Sequence, residues 1–492
     1  MGIIQKQALR STIINFVGIG FGTITRLIMP LVLETAQIGV LALLDSISGM
    51  FRVIFNFGYN LILRKLFPKY RNESEGHAGF LAFGIMLSFV GIVLAISSFY
   101  LIEDVILKNE GENGKYLRPF AFLIPYLIFF RILFTNIDAY VRMLFQTVLG
   151  TFLDGFLTKL VLLFSIALFG LAYIEFDSFI YLYCLTLSLP GLIILIYALT
   201  VTKRVVLPKS QLLGESSKIR SYILFGILSG ASSSIVQYVD TIMIYKLDGV
   251  NSESQVGIYS IMFFAAILIS IPAKGLNKIS AVILAESWKD NDLKNIQDIY
   301  KRSSINLLII GGYLFIIGWA CIDPVLEFFP EYKVGKYVFF FLGLAKLIEL
   351  GTGVNADIIE SSEKYRYNTY FNVILAILVI GLNYLLINLY GIIGAAIASF
   401  LAMTIVNVMR ATLLRKSYKL WPFDKSTLKL ATIVVFVMIL ASLININDHP
   451  VLEIVLNFIG FSLLYWFIII RFKFSNDING WLIKMRSHFL KK

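Results

Sequence analysis

The sequence predicts an all-α polytopic membrane protein with fourteen transmembrane helices. Apolar residues make up 58% of the chain and charged residues 15%, and the mean hydropathy is +0.81, so lipid must solvate most of the surface. The apolar runs reach roughly 20 residues, the length that lets a helix cross about 30 Å of hydrocarbon. They are continuous, which indicates helices, since the strands of a membrane barrel are short and alternate apolar with polar residues.

The first six helices follow a polar N-terminal segment, Met1–Arg10. The first apolar run has no small-residue cleavage site, so it is predicted as a transmembrane helix and not as a signal peptide. The predicted helices are Thr12–Leu33, Ile38–Leu61, Phe80–Ile102, Phe120–Tyr140, Val148–Tyr173 and Phe179–Val201. Residues 1–202 are therefore predicted to form an N-terminal six-helix bundle, and the basic residues 203–220 a cytosolic linker.

Residues 221–414 are predicted to form a second six-helix bundle. Its helices are Tyr222–Tyr245, Gly257–Leu284, Ile305–Val325, Tyr337–Ile359, Thr369–Leu389 and Ile392–Leu414. Only Tyr390 and Gly391 separate the last two of these helices. Residues 415–492 are predicted to add two transmembrane helices, Leu428–Ile446 and Val451–Ile470, and a basic cytosolic tail.

The distribution of Lys and Arg predicts that both termini are cytosolic. With this orientation the basic residues concentrate on the cytosolic side, as the positive-inside rule requires. The outside loops hold only Lys108, Lys115, Lys246, Lys333 and Lys336. The net charge of +12 is thus mainly a signal of topology, and nucleic-acid binding is not expected. The outside loops are too short for a catalytic domain, so the function is predicted to lie among the helices and not to be enzymatic.

Three short patterns recur in the two six-helix blocks at a nearly constant offset. The patterns are Gln37-Ile38-Gly39-Val40 with Gln255-Val256-Gly257-Ile258, Phe57-Gly58-Tyr59-Asn60 with Lys274-Gly275-Leu276-Asn277, and Asn136-Ile137-Asp138 with Asn355-Ala356-Asp357. Because six is even, both blocks start on the same side of the membrane, so the repeats are parallel, as in transporters whose two bundles rock about a central site. Glycines four residues apart, Gly18/Gly22 and Gly226/Gly230, predict helix-packing surfaces.

Motifs of soluble-enzyme chemistry are absent from the sequence. It has no phosphate-binding glycine loop, no metal-spaced His/Cys pair and no nucleophile elbow. Cys184 and Cys321 lie in separate apolar runs and are predicted to be small buried side chains. No metal site and no cofactor are therefore predicted.

Basic residues inside the predicted helices are the candidate substrate-binding residues. Each costs about 2.5–3.5 kcal/mol or more at the membrane centre, so it is expected to face a cavity or a partner. Arg26, Arg52 and Lys274 have no acid three or four residues away on their own helices. They are predicted to line a cationic cavity that selects an anion, and the two-pronged donor geometry of Arg suits phosphate. The alternative is pairing across helices with Asp45, Asp240 or Glu34.

Arg131, Lys159 and Lys346 are predicted close to mid-membrane, and Arg131 and Lys346 are further candidates for the cationic cavity. Local spacing offers a structural explanation for some charged residues. Lys346 and Glu349 are three residues apart, and Asp138 and Arg142 are four apart, and both spacings favour ion pairs on one helix face.

These features resemble the polysaccharide flippases of the multidrug/oligosaccharidyl-lipid/polysaccharide exporter superfamily. That group has twelve helices in two parallel bundles and two additional C-terminal helices. The Gln-Ile-Gly-Val and Gln-Val-Gly-Ile segments are similar to the start of its second and eighth helices. The segment from Tyr390 to Ser399, Tyr-Gly-Ile-Ile-Gly-Ala-Ala-Ile-Ala-Ser, is similar to the start of its twelfth helix.

The resemblance implies alternating-access flipping of an undecaprenyl-diphosphate-linked oligosaccharide across the bacterial cytoplasmic (inner) membrane. It implies as partners the lipid-linked substrate, membrane lipids and other polysaccharide export or polymerisation proteins. Related lipid II flippases have basic cavity residues on helices one, two and eight, which Arg26, Arg52 and Lys274 match by helix. Coupling to Na⁺ or H⁺ would involve Asp240 or Asp357. The alternatives are a multidrug or toxin extruder of the same superfamily and a membrane-embedded polysaccharide polymerase or ligase.

Overall fold

All regular secondary structure in the described part of the chain is helical. The computed structural model describes residues 3–107, 116–202, 204–249, 251–443, 449–475 and 477–480. These residues form eighteen α-helices with short 3₁₀ and π segments and contain no β-strand. The predicted all-α polytopic fold is confirmed.

The chain divides into two compact units, Met1–Ser260 and Ile261–Lys492. The first unit contains ten helices and the start of an eleventh. They are α1 (Ile3–Val32), α2 (Thr35–Phe55), α3 (Tyr59–Leu66), α4 (Phe80–Ile106), α5 (Leu123–Met143), α6 (Thr147–Gly150), α7 (Thr158–Gly170), α8 (Phe176–Val201), α9 (Ser210–Leu213), α10 (Ser216–Leu247) and α11 (Ser252–Lys289). A π-helical segment, Thr151–Leu157, joins α6 to α7. The division into bundles at residues 1–202 and 221–414 stays a prediction.

The second unit contains the rest of α11 and the remaining helices. These are α12 (Leu293–Ala320), α13 (Ile322–Glu327), α14 (Lys336–Gly351), α15 (Asn355–Ser361), α16 (Arg366–Tyr418), α17 (Lys425–Leu443) and α18 (Pro450–Phe472). The last two helices pack on α12. Trp319 of α12 donates from Nε1 to Ser442 Oγ at 2.8 Å, and the Tyr465 hydroxyl of α18 donates to the Ile309 carbonyl at 2.8 Å.

The number of membrane spans is close to the predicted number. In the described part of the chain, 11 helices are long and apolar enough to cross a membrane, and two bent pairs bring the number to 13. Fourteen spans stay a prediction. Residues 444–448, which include the predicted end of the thirteenth helix, and residues 481–492 of the predicted basic tail lie outside the described residues.

The 53-residue helix α16 is broken at Gly391, where φ is 56° and ψ is −138°, a conformation open to glycine but not to side chains with a Cβ. Its two arms then run antiparallel. Arg410 Nη2 donates to Asn372 Oδ1 at 2.8 Å, two positions equally far from Gly391 along the chain. A Cβ on Gly394 would overlap the Leu386 carbonyl. The predicted interruption at Tyr390 and Gly391 is therefore confirmed as a reversal.

The two repeated Gln-x-Gly segments contact one another at the N-terminal ends of α2 and α11. A Cβ on Gly39 would overlap the Glu253 carbonyl, and a Cβ on Gly257 would overlap the Thr35 carbonyl. Glycine is needed at both positions because the two backbones approach so closely. Glu253, only 2% exposed, accepts hydrogen bonds from the backbone N–H groups of Tyr116 (3.2 Å) and Leu117 (3.1 Å).

Helix α2 forms the centre of the first unit and packs against α4, α5 and α10. Gly49 of α2 lies under the ring of Tyr238 of α10, and a Cβ there would be 2.6 Å from the ring. Further along, Gly58, just after α2, meets Gly226 of α10 backbone to backbone. The predicted packing role of Gly226 is thus confirmed, and α2 and α10 run antiparallel in close contact.

Candidate functional site

The candidate site is built on one polar face of α2. Asp45, Ser48 and Arg52 are three and four residues apart, which places them on the same side of a helix. Their neighbours Leu44 and Ile47 are completely buried in the apolar packing of the unit. The polar face is therefore a narrow stripe within a buried helix.

Arg131 of α5 binds this stripe through three hydrogen bonds. Its Nη2 donates to Asp45 Oδ1, and its Nη1 donates to the Asp45 backbone carbonyl at 3.0 Å and to Ser48 Oγ at 3.1 Å. The Arg131 side chain is 11% exposed, whereas the Asp45 side chain is 37% exposed. Because the neighbouring residues of α2 are buried, Asp45 is an accessible point on this face of the helix.

Arg52 contacts α10 and not an acid. Its Nη2 donates to the Tyr238 hydroxyl at 3.2 Å, and its buried Nε has no hydrogen-bond partner among the described residues. The approach of Tyr238 depends on Gly49, one turn earlier on α2. Arg52 thus keeps donor capacity for a further acceptor.

Arg26 and Lys159 add two positive charges from α1 and α7. The Arg26 Nη1 contacts Met29 Sδ at 3.9 Å, a weak acceptor. The Lys159 stem lies across α1, with its Cδ 3.5 Å from the position of a Cβ on Gly22. Both charges are close enough to interact electrostatically with the Asp45 carboxylate. Tyr183 of α8 lies within the same range of Arg26, Asp45 and Arg131.

The residues around this point form what we call the basic cluster, which consists of Arg26, Asp45, Ser48, Arg52, Arg131, Lys159, Tyr183 and Tyr238. Six helices contribute to it. It holds four cations and one carboxylate, and three of the cations, Arg26, Arg131 and Lys159, interact with that carboxylate. Such a cluster can bind a multiply charged anion, since guanidinium groups bind phosphate oxygens through paired N–H donors.

Three of the predicted site residues, Arg26, Arg52 and Arg131, meet in this cluster. The cross-helix alternative for Arg26 and Arg52 is not what the described contacts show, since neither contacts an acid there and Asp45 binds Arg131 instead. Lys159, Ser48, Tyr183 and Tyr238 were not predicted as site residues. The mid-membrane position of Lys159 could have marked it as a site residue. Ser48, Tyr183 and Tyr238 carry no such mark, because serine and tyrosine are ordinary residues of apolar helices.

The other predicted basic residues lie in the second unit. Lys274 is an exposed residue of α11. Lys346 of α14 pairs with Glu349 at 2.9 Å, as its spacing predicted. In the first unit the Asp138–Arg142 pair, at 2.5 Å, is likewise confirmed. For Lys346 the structure therefore supplies a local partner.

The acids proposed for cross-helix pairing or ion coupling have other partners. Asp240, only 3% exposed, accepts a hydrogen bond of 2.6 Å from the Tyr259 hydroxyl. Glu34 forms a capping box with Gln37 at the start of α2. Asp357 is half-buried on α15 near the charges of Glu360 and Arg410.

Within the described ranges no group of three or more His, Cys, Asp and Glu side chains is arranged to hold a metal ion. Cys184 is buried and Cys321 is half-buried, and both are free thiols.

The long apolar helices define a polytopic membrane protein. Three solved structures share the fold at low sequence identity. The inward closed lipid II flippase MurJ aligns with a TM-score of 0.69 and 13% identity over 94% of this chain and 99% of its own. An inward-facing multidrug resistance MATE family transporter of the MOP superfamily aligns with a TM-score of 0.60 and 14% identity over 80% of this chain and 99% of its own. A MOP superfamily transporter from Pyrococcus furiosus, described as having a binding pocket of reverse polarity, aligns with a TM-score of 0.55 and 12% identity over 89% of this chain and 97% of its own.

A family model described as "Polysaccharide biosynthesis protein" matches residues 4–283. The chain belongs to this family, and its fold is that of the MOP superfamily, which confirms the resemblance seen in the sequence. No curated protein sequence matches the chain. The family and the fold are thus those of a polysaccharide biosynthesis protein that shares its architecture with membrane transporters.

Proposed function

We propose that the protein is a flippase that moves an undecaprenyl-diphosphate-linked oligosaccharide, an O-antigen, capsule or exopolysaccharide repeat unit, across the membrane by alternating access. Membership of the polysaccharide biosynthesis family supports the substrate class. The transporter fold supports the mode of action. The chain is a multi-pass membrane protein, and we place it in the bacterial cytoplasmic membrane with both termini in the cytosol, as its basic residues predict.

The basic cluster is the observation on which this proposal depends. A prenyl diphosphate carries its negative charge next to the sugar, so a site that holds the diphosphate also positions the sugar. Arg26, Arg52 and Lys159 have no carboxylate of their own in the described structure, so their charges can act on the incoming diphosphate. The prenyl chain would remain in the surrounding lipid, where its apolar surface is solvated at no cost.

The proposal is tested by replacing Arg26 or Arg52 with Gln in a strain that depends on this protein for surface polysaccharide. The matched control is Arg64→Gln, which removes an exposed Arg of α3 in the same unit. We expect the Arg26 and Arg52 variants to lose surface polysaccharide and to accumulate lipid-linked precursor on the cytosolic side, and the control to export normally.

Normal export by both variants, at normal protein levels, would remove the basic cluster from the mechanism. Gain of drug resistance in a sensitised host would favour the extruder of the same superfamily. Extension or transfer of glycans by the purified protein would favour a polymerase or ligase.

We further propose that transport is coupled to Na⁺ or H⁺ through Asp240 or Asp357. Asp240 is buried, and its carboxylate accepts a hydrogen bond from the Tyr259 hydroxyl. Asp357 lies on α15, which follows α14 after a bend of 48°. Broken helices are common at ion sites of transporters. In proteoliposomes, Asn at the coupling position should abolish the response of flipping to an imposed ion gradient, and a full response in both variants would contradict the coupling.

A further inference from the structure

We infer that Asp45 is an internal counter-ion, which occupies the phosphate position on Arg131 when the protein is empty and is displaced when the substrate diphosphate arrives. The inference rests on the proposed function and adds to it the event that opens the site. It concerns the first unit alone, where all the residues involved lie.

Arg131 is held partly by contacts that do not involve the Asp45 carboxylate. One guanidinium nitrogen, Nη1, is bound to the Asp45 backbone carbonyl and to Ser48 Oγ, while Nη2 faces the Asp45 carboxylate. The backbone carbonyl remains whatever the side chain does. Ser48 is itself fixed, since its hydroxyl also donates to the Leu44 carbonyl. Arg131 can therefore stay in position while Nη2 exchanges a carboxylate for a phosphate oxygen.

The Asp45 carboxylate is accessible on an otherwise buried stretch of α2. The Asp45 side chain is 37% exposed, whereas its neighbours Leu44 and Ile47 on α2 are fully buried. A ligand that approaches this face of α2 can therefore contact the carboxylate. Displacement requires only rotation of one short side chain, since the carboxylate is separated from the backbone by a single methylene group.

The charges around Asp45 favour its exchange for another anion. Asp45 is the only acid in the basic cluster, and the charges of Arg26, Arg131 and Lys159 all act on it. A carboxylate and a diphosphate repel one another, so both cannot occupy the same donors. In the empty protein Asp45 spares Arg131 the cost of an unpaired charge in a region of low polarity. This pairing is needed in the step of alternating access in which the empty protein changes conformation without substrate.

The test measures binding of farnesyl diphosphate, a short prenyl diphosphate, to the purified full-length protein in lipid nanodiscs. Asp45→Asn keeps the size of the side chain and the anchors of Arg131 but removes the competing charge. We expect it to bind the probe about tenfold more tightly than the natural protein, the effect of one favourable charge interaction. Asp104→Asn, an exposed acid at the end of α4, is the control and should leave binding unchanged.

A second measurement uses the same variant in cells. Asp45→Asn should export more slowly although it binds more tightly, because Arg131 is left unpaired in the empty protein. If Asp45→Asn does not fold, as judged by its thermal melting, Asp45→Ser replaces it under the same criteria.

Unchanged or weaker binding by the Asp45 variant would overturn the inference, because Asp45 would then only position Arg131. Absence of binding in both proteins would overturn it as well. Neither result touches the proposed function, which fails separately if Arg26→Gln and Arg52→Gln export normally.

Discussion

Arg52 shows how a single charge is kept inside an apolar bundle. Its guanidinium lies on the polar stripe of α2, and its described contact is one hydrogen bond to the Tyr238 hydroxyl at 3.2 Å. Tyr238 can approach because Gly49 has no side chain. A neutral hydroxyl satisfies a donor without cancelling the positive charge, so the tyrosine holds Arg52 in place and leaves its charge available to an anion.

The role of this hydroxyl can be tested with Tyr238→Phe, which keeps the ring on Gly49 and removes the acceptor. Hydrogen bonds to charged groups contribute about 1.5–3 kcal/mol, so we expect a lower melting temperature in detergent and reduced polysaccharide export. Tyr181→Phe, at a half-exposed position of α8, is the control. Equal melting temperatures and equal export in the two variants would show that the hydrogen bond has no such role.

At the scale of elements, glycines decide where helices reverse and where they touch. The start of α2 meets the start of α11 at Gly39 and Gly257, and Glu253 fixes the neighbouring segment at Tyr116 and Leu117. The recurring Gln-x-Gly pattern thus has a packing reason. Gly391 has a different reason, since its backbone angles exclude other residues.

We predict that Gly391→Ala destabilises the protein by about 1–3 kcal/mol, the usual cost of a strained backbone conformation. The measurement is thermal unfolding in detergent together with the yield of monodisperse protein. Gly381→Ala, in the same helix, is the control, since a methyl group there meets nothing within 4 Å. It should have no cost, and a loss of stability equal to that of Gly391→Ala would contradict the prediction.

At the scale of the whole molecule, the charge distribution is the property that sets orientation. The net charge of +12 is concentrated in the segments predicted to be cytosolic. This orientation decides from which side a substrate reaches the basic cluster, so it bears directly on the proposed direction of transport.

The orientation can be measured with single cysteines and a membrane-impermeant maleimide. Lys65→Cys, in the exposed face of α3, should react only after the cells are permeabilised, and Lys333→Cys should react in intact cells. The natural Cys184 is buried and Cys321 is half-buried, so the unaltered protein serves as the background control. The reverse labelling pattern would invert the predicted topology.

The helical class, the approximate spans and the two short-range ion pairs were predictable from the sequence. Hydropathy is a local property, and helix geometry brings residues three or four apart onto one face. The interruption at Gly391 was predictable because it, too, is a local feature of the sequence. The spacing rules say nothing about residues distant in the chain.

The sequence by itself determined that this chain lies in a membrane, is helical and buries basic residues. Only the tertiary structure decided what those residues contact: Asp45 binds Arg131, 86 residues away, and Arg52 binds Tyr238, 186 residues away. It also brought Lys159 to the same place. Such contacts depend on which helices become neighbours and on where a missing Cβ lets them approach. Both are properties of packing, which no local pattern in an apolar helix records.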